Sequence, residues 1–95
     1  MGPELNTRSA QLRVKAMRLQ LSAALSFCSS AENALVLGRV QKAREAIANA
    51  TRTAKCVRLH LDEPHHVPAD SVTSIADRLA QLESLISTLQ GRLVR

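Results

Sequence analysis

Apolar residues recur along the chain at alternating intervals of three and four positions, the spacing that places side chains on one face of an α-helix. The last third of the chain has the clearest run, formed by Val72, Ile75, Leu79, Leu82, Ile86, Leu89 and Leu93. The middle run consists of Val36, Val40, Ala43, Ile47, Ala50, Ala54, Val57 and Leu61. The first consists of Ala10, Val14, Met17, Leu21, Ala24 and Cys28. Each segment therefore predicts an amphipathic helix.

Local signals suggest where these helices begin and end. Ser29 and Glu32 have the spacing of a capping box, which predicts a helix start near residue 30. Pro64 and Pro68 cannot lie inside a helix, so they predict the end of the second helix and the start of the third. The predicted helices are about 5–28, 30–61 and 69–93, with a loop at 62–68. Because no proline separates the first two, one continuous helix through residue 30 is an alternative.

Short connections make sequential helices antiparallel, and three apolar faces can then be buried against one another. The apolar residues are mostly Ala, Leu, Val and Ile, with Phe27 as the only aromatic residue. This composition favours helices over strands. The sequence predicts an all-α protein, an antiparallel up-down-up three-helix bundle with coiled-coil-like seams, in a single domain covering residues 1–95.

The first segment has more apolar surface than one helix face requires. A second stripe, which we call the outer stripe, consists of Leu5, Leu12, Ala16, Leu19 and Ala23. Together the two stripes cover about 200° of the helix, where ~100° is common for a surface helix. Either this helix contacts both others across a wide arc, or the outer stripe binds a second copy or another protein. These residues are the predicted partner-binding site.

Charge offers an alternative site. The formal net charge is +5, and a basic surface attracts phosphate groups. In an up-down-up bundle the start of the first helix meets the end of the second, which would gather basic side chains at one end. They are Arg8, Arg13, Lys15, Arg18, Arg52, Lys55 and Arg58. A solvated basic face, phosphate or nucleic-acid binding, and contact with an acidic protein are the three interpretations, although base stacking lacks the aromatic residues it needs.

All three histidines lie close together in the sequence. His60 is four residues after Cys56, and His65 and His66 follow in the predicted loop. Zinc accepts such ligands, but the spacing matches no recognised site. A connecting loop, a zinc site and a pH-sensitive cluster are the three interpretations, and the loop is the simplest.

The remaining features argue against catalysis and for an intracellular location. The three glycines are isolated, and no serine has a nucleophile-elbow context. Cys28 and Cys56 are expected about 37 Å apart, too far for a disulfide, and both are predicted as small buried residues in a reducing compartment. No run of about 18 apolar residues occurs, so no membrane contact is expected. The sequence predicts a cytoplasmic, non-enzymatic interaction module without a cofactor, which self-associates or docks a partner protein through the outer stripe.

Overall fold

A computed structural model describes residues 3–62 and 69–94, with the surroundings of the side chains described for residues 10–62 and 70–93. These residues form three helices: α1 (Pro3–Val36), α2 (Val40–Asp62) and α3 (Ala69–Val94). Each helix contacts both others, and the described ranges contain no strand. This arrangement confirms the predicted antiparallel three-helix bundle. The bundle is a rod with extents of 55 × 16 × 15 Å.

The predicted boundary between the first two helices is wrong. Ser29 and Glu32 are exposed residues inside α1, which continues to Val36. A capping box stabilises a helix start by only about 1 kcal/mol. A break at this point would instead leave several backbone groups without partners. Continuing the helix also buries Ala31 and Ala34 in line with Cys28, so the continuous form wins over the capping signal.

Gly38 ends α1. Its φ of 74° lies in the left-handed region that glycine adopts without steric cost. The Gly38 N–H donates to the Leu35 carbonyl at 3.1 Å, and the Arg39 N–H donates to the Ala34 carbonyl at 2.7 Å. This pair of hydrogen bonds is the Schellman motif, which satisfies the last carbonyls of a helix. The chain then reverses, and α2 begins at Val40 rather than at the predicted residue 30.

The core combines small residues from α1 and α2 with large residues from α3. On α3, Ile75, Leu79, Leu82 and Leu89 are each at most 1% exposed. The buried alanines of the first two helices are Ala24, Ala31, Ala34, Ala43, Ala46, Ala50 and Ala54. Small side chains allow two helices to approach closely, while the leucines of α3 fill the remaining space. The predicted faces of α1 and α3 are confirmed. In the middle run Val36 and Val40 are exposed.

The two cysteines have different surroundings, and the prediction that both are buried is wrong for one. Cys28 is buried in the core and Cys56 is exposed on α2; both thiols are free. Cys56 directly precedes the buried Val57, so it lies about 100° round the helix from the apolar face. Burial raises the pKa of the Cys28 thiol, and the nearby carboxylate of Glu32 raises it further.

Candidate interaction surface

The outer stripe of α1 faces solvent. Leu12 and Leu19 are 62% and 63% exposed, and Ala16 and Ala23 are exposed as well. The buried face of the same helix carries Val14, Met17 and Leu21, and the outer stripe lies well round α1 from it. Leu19 stands at the edge of the stripe, where it lines a groove between α1 and α3. The two leucines therefore do not serve the bundle core, which excludes the wide-arc explanation for them. Leu5 lies within α1, but its side chain is outside the described surroundings.

The stripe has the spacing of a coiled-coil contact face. Leu12, Ala16, Leu19 and Ala23 follow one another at intervals of four, three and four residues, the a/d pattern of a heptad repeat. Polar residues border the stripe. Arg13, Lys15 and Ser22 are exposed, and Gln20 is half-buried. The Gln20 Oε1 atom is buried and has no hydrogen-bond partner. No other side-chain N or O atom in the described residues is in this position.

A second exposed apolar surface lies at the turn between α1 and α2, which we call the hairpin tip. Val36, Leu37 and Val40 are 78%, 66% and 45% exposed. Sequence analysis assigned two of these residues to a buried face and so missed this surface. Leu93, near the end of α3, lies beside Arg44 and the residues that follow it in α2. In the part of the chain that the structure describes, the tip therefore extends beyond α3 and consists of residues from α1, α2 and the turn between them.

The predicted basic residues lie on more than one side of the rod. Lys15 and Arg18 line a groove of about 440 Å³ together with Ser22 and with Ser71 of α3. Arg52 lines a separate groove between α2 and α3.

Arg58 also faces α3. Its Nη2 donates to Oε1 of Glu83 at 2.5 Å, so a carboxylate compensates this charge. Of the other members, Arg13 and Lys55 are exposed, and the side chain of Arg8 lies outside the described surroundings. The four basic residues with a described neighbour thus divide between two sides of the bundle: Lys15 and Arg18 line the α1–α3 groove, while Arg52 and the already paired Arg58 lie on the α2–α3 side.

The histidine segment lies largely outside the described residues, which do not include His65 and His66. His60 is exposed in the last turn of α2. Within the described ranges, the side chains of His, Cys, Asp and Glu form no group of three or more that could hold a metal ion. The zinc and pH-sensing interpretations of this segment stay predictions.

Comparison with known proteins finds no matching family model, curated protein or solved structure. Within the residues that the structure describes, every helix is too short or too polar to cross a membrane.

Proposed function

We propose that this chain is a non-catalytic interaction module, and that the outer stripe of α1 binds another helix, from a second copy or from a partner protein. The observation that carries the proposal is the exposure of Leu12 and Leu19, the two leucines of the stripe whose side-chain surroundings the structure describes. They lie two helical turns apart on one face of α1, with only the small residues Ala16 and Ala23 completing the stripe. A helix with this face binds through the a/d spacing that coiled-coil partners recognise.

The composition of the core also supports a structural role. Among the described residues every buried side chain is apolar, a composition typical of a core that serves packing. Leu12 and Leu19, in contrast, lie outside the core. Burying a leucine side chain is worth about 1.5–3 kcal/mol, and this free energy becomes available when a partner covers the stripe.

The test is a double substitution in the stripe. In Leu12→Asp/Leu19→Asp, two carboxylates replace the apolar contacts, so a self-associated protein is expected to return to the monomer of 10.3 kDa. The fold is expected to survive, because both sites face solvent and Asp lowers helix stability by only about 0.5 kcal/mol per site. Sedimentation equilibrium measures the mass, and circular dichroism checks the helix content.

The chain offers a matched control. Leu59 is 65% exposed but lies on α2, away from the stripe. Leu59→Asp therefore makes the same chemical change at a similar exposure without touching the proposed surface. A partner other than a second copy is tested by pull-down with the wild type, the Leu12→Asp/Leu19→Asp variant and the Leu59→Asp variant. Bands that the stripe variant loses and the Leu59 variant keeps support the proposal; identical behaviour of the two variants contradicts it.

A second candidate function is binding of phosphate groups, favoured by one observation. Lys15, Arg18, Ser22 and Ser71 line the same groove, and all four side chains can donate hydrogen bonds to phosphate oxygens. Binding to duplex DNA or RNA should then weaken steeply with salt.

Lys15→Glu/Arg18→Glu should abolish this binding. Arg52→Glu/Lys55→Glu changes the same charge outside the α1–α3 groove, so it serves as the control and should weaken binding less. The absence of binding at low salt would remove this candidate, and equal losses in both variants would assign the binding to overall charge.

A further inference from the structure

We infer that the occupant of the outer stripe is a second copy of this chain, bound antiparallel about a twofold axis that passes between Met17 and Arg18. This inference rests on the proposed function and names the partner. About such an axis Leu12 of one copy lies opposite Ala23 of the other, and Ala16 lies opposite Leu19. Every contact layer therefore pairs a large side chain with a small one. The surface is complementary to itself, as a twofold interface requires.

Size matching distinguishes this arrangement from a parallel one. In a parallel dimer in register, Leu12 meets its own copy and Ala16 meets its own copy. Layers with two leucines would then alternate with layers with two alanines, which leaves gaps at the alanines when the leucines touch. Closely packed interfaces avoid such gaps. The antiparallel pairing has the same combined volume in each layer, and it lets the two α1 helices approach closely.

Both neighbouring registers, each shifted by one heptad, are less favourable. The shift that brings Leu19 opposite Ala23 places Leu12 opposite Ser30 and Ala16 opposite Ser26, so only two apolar layers remain. Charge disfavours the other shift. An antiparallel pairing shifted by one heptad, which brings Leu12 opposite Ala16, also matches large with small residues. That shift places Arg13 beside the other Arg13 and Lys15 beside the other Lys15. With the axis between Met17 and Arg18, Arg13 instead lies near Gln20 of the other copy, and Lys15 lies near Ser22. Like charges in contact are unfavourable, whereas here each cation meets an uncharged polar side chain.

A hydrogen bond to Gln20 also favours this register. Its Oε1 is the buried acceptor that lacks a partner in the isolated bundle. If the amide turns toward the twofold interface, this oxygen can accept a hydrogen bond from Arg13 of the other copy. A hydrogen bond from a charged donor is stronger than one between neutral groups. The turned amide can also meet water in the single chain, so the dimer replaces a water contact with this charge-assisted hydrogen bond.

The size of the surface sets the expected affinity. The four apolar layers extend from Leu12 to Ala23, about 16 Å along the helix. This length is less than that of a standard protein–protein interface, and association must also offset the loss of translational and rotational freedom. We therefore expect a dissociation constant in the micromolar to millimolar range, and dimers at high protein concentration.

Pulsed electron–electron resonance between two nitroxide labels tests the geometry directly. The label is attached through Ser29→Cys, a site that is exposed on α1 and lies outside the apolar stripe. Cys56→Ser removes the exposed native thiol. Cys28 is buried in the core, so the labelling reagent does not reach it in the folded protein.

In the inferred dimer the two labels are separated by about 23 residues of helical rise, or about 35 Å. A shift of the register by one heptad changes this separation by about 10 Å. A parallel dimer brings both labels to the same level of the rod, so the distance becomes clearly shorter. The distance distribution therefore distinguishes the register and the orientation in one experiment.

The inferred distance should disappear in the Leu12→Asp/Leu19→Asp background and persist in the Leu59→Asp background. A clearly shorter distance that depends on the stripe would overturn the antiparallel arrangement while leaving the proposed function intact. Absence of any intermolecular signal at millimolar protein would overturn pairing with a second copy. The proposed function then depends on the pull-down comparison, so the two failures are distinguishable.

Discussion

Replacement of Gly38 by alanine should destabilise the bundle through the backbone alone. The residue has a φ of 74°, and a Cβ built on it meets no atom within 4 Å. Steric overlap with neighbouring elements therefore does not contribute. An alanine in the left-handed conformation costs about 1–2 kcal/mol, and part of that cost is offset because alanine restricts the unfolded chain by about 0.4–1 kcal/mol. We expect a net loss of about 1 kcal/mol in the free energy of unfolding.

Gly91 provides the matched control, since the same substitution should have the opposite sign there. It lies inside α3, and its Cβ position is also free of neighbours within 4 Å. Glycine inside a helix is less favourable than alanine by about 0.5–1 kcal/mol. Gly91→Ala should therefore stabilise the bundle by up to this amount, or less if the end of α3 frays.

Thermal unfolding followed by circular dichroism measures both effects, with all proteins at one concentration because self-association also affects the apparent Tm. A change of 1 kcal/mol corresponds to about 4–8 °C for a chain of 60–100 residues. Gly38→Ala should lower the Tm by about that amount, and Gly91→Ala should raise it. A neutral or stabilising Gly38→Ala would refute the positive φ at the turn, and with it the assignment of this residue as the end of α1.

Three further predictions concern the core, the ion pair and the thiols. Leu79→Ala should reduce the free energy of unfolding by about 2–5 kcal/mol in denaturant titrations, since the side chain is 0% exposed; a loss below 1 kcal/mol would contradict its central position. Arg58→Ala should lower the free energy of unfolding by at most about 1 kcal/mol, because both side chains of its ion pair with Glu83 are more than 40% exposed. Added salt should reduce this difference. A larger loss that does not depend on salt would contradict a surface ion pair. A thiol reagent should modify Cys56 quickly and Cys28 only on unfolding. The pKa of Cys28 is higher in the folded state than its ordinary value of 9.0, so the thiol of the unfolded chain ionises first. The free energy of unfolding should therefore fall as the pH rises past 9.0. Cys28→Ala should not show this part of the decline, and an equal decline in the variant would contradict the prediction.

The spacing of apolar residues predicted the bundle well, because one buried face per helix is all that a three-helix core requires. On α3 the predicted face runs in one phase from Val72 to Leu93, and its central members are buried. The same rule failed at Val36 and Val40. Their spacing continues the phase of α2, but a turn interrupts the helix between them, and periodicity alone carries no information about turns.

Two local signals in this part of the chain predict different boundaries between α1 and α2, and the Ser29–Glu32 pair is the weaker of them. The Ser29–Glu32 pair resembles a helix start, although nothing before it ends a helix. Gly38 is the stronger signal, since glycine just after a run of apolar residues commonly terminates a helix in the left-handed conformation. A boundary between two helices needs a signal that ends the first helix, and Gly38 supplies it.

The outer stripe could be identified from the sequence, but its exposure could not. Spacing places Leu12 and Leu19 on one face and Met17 and Leu21 on another. Either face could have been the one that contacts α2 and α3. Only the packed arrangement shows that the larger hydrophobic face enters the core and the leucine–alanine face remains in solvent. The hairpin tip was missed for the related reason that α3 ends before the tip.

A dilution series of methyl spectra by NMR tests the central claim most directly, because it reports on each apolar surface separately. From micromolar to millimolar protein, we expect the methyl shifts of Leu12, Ala16, Leu19 and Ala23 to change together along one binding curve. The chemical shifts of the Leu59 methyl groups should not change with protein concentration. Concentration-dependent shifts confined to Val36, Leu37 and Val40 at the hairpin tip, with the outer stripe unchanged, would contradict the account.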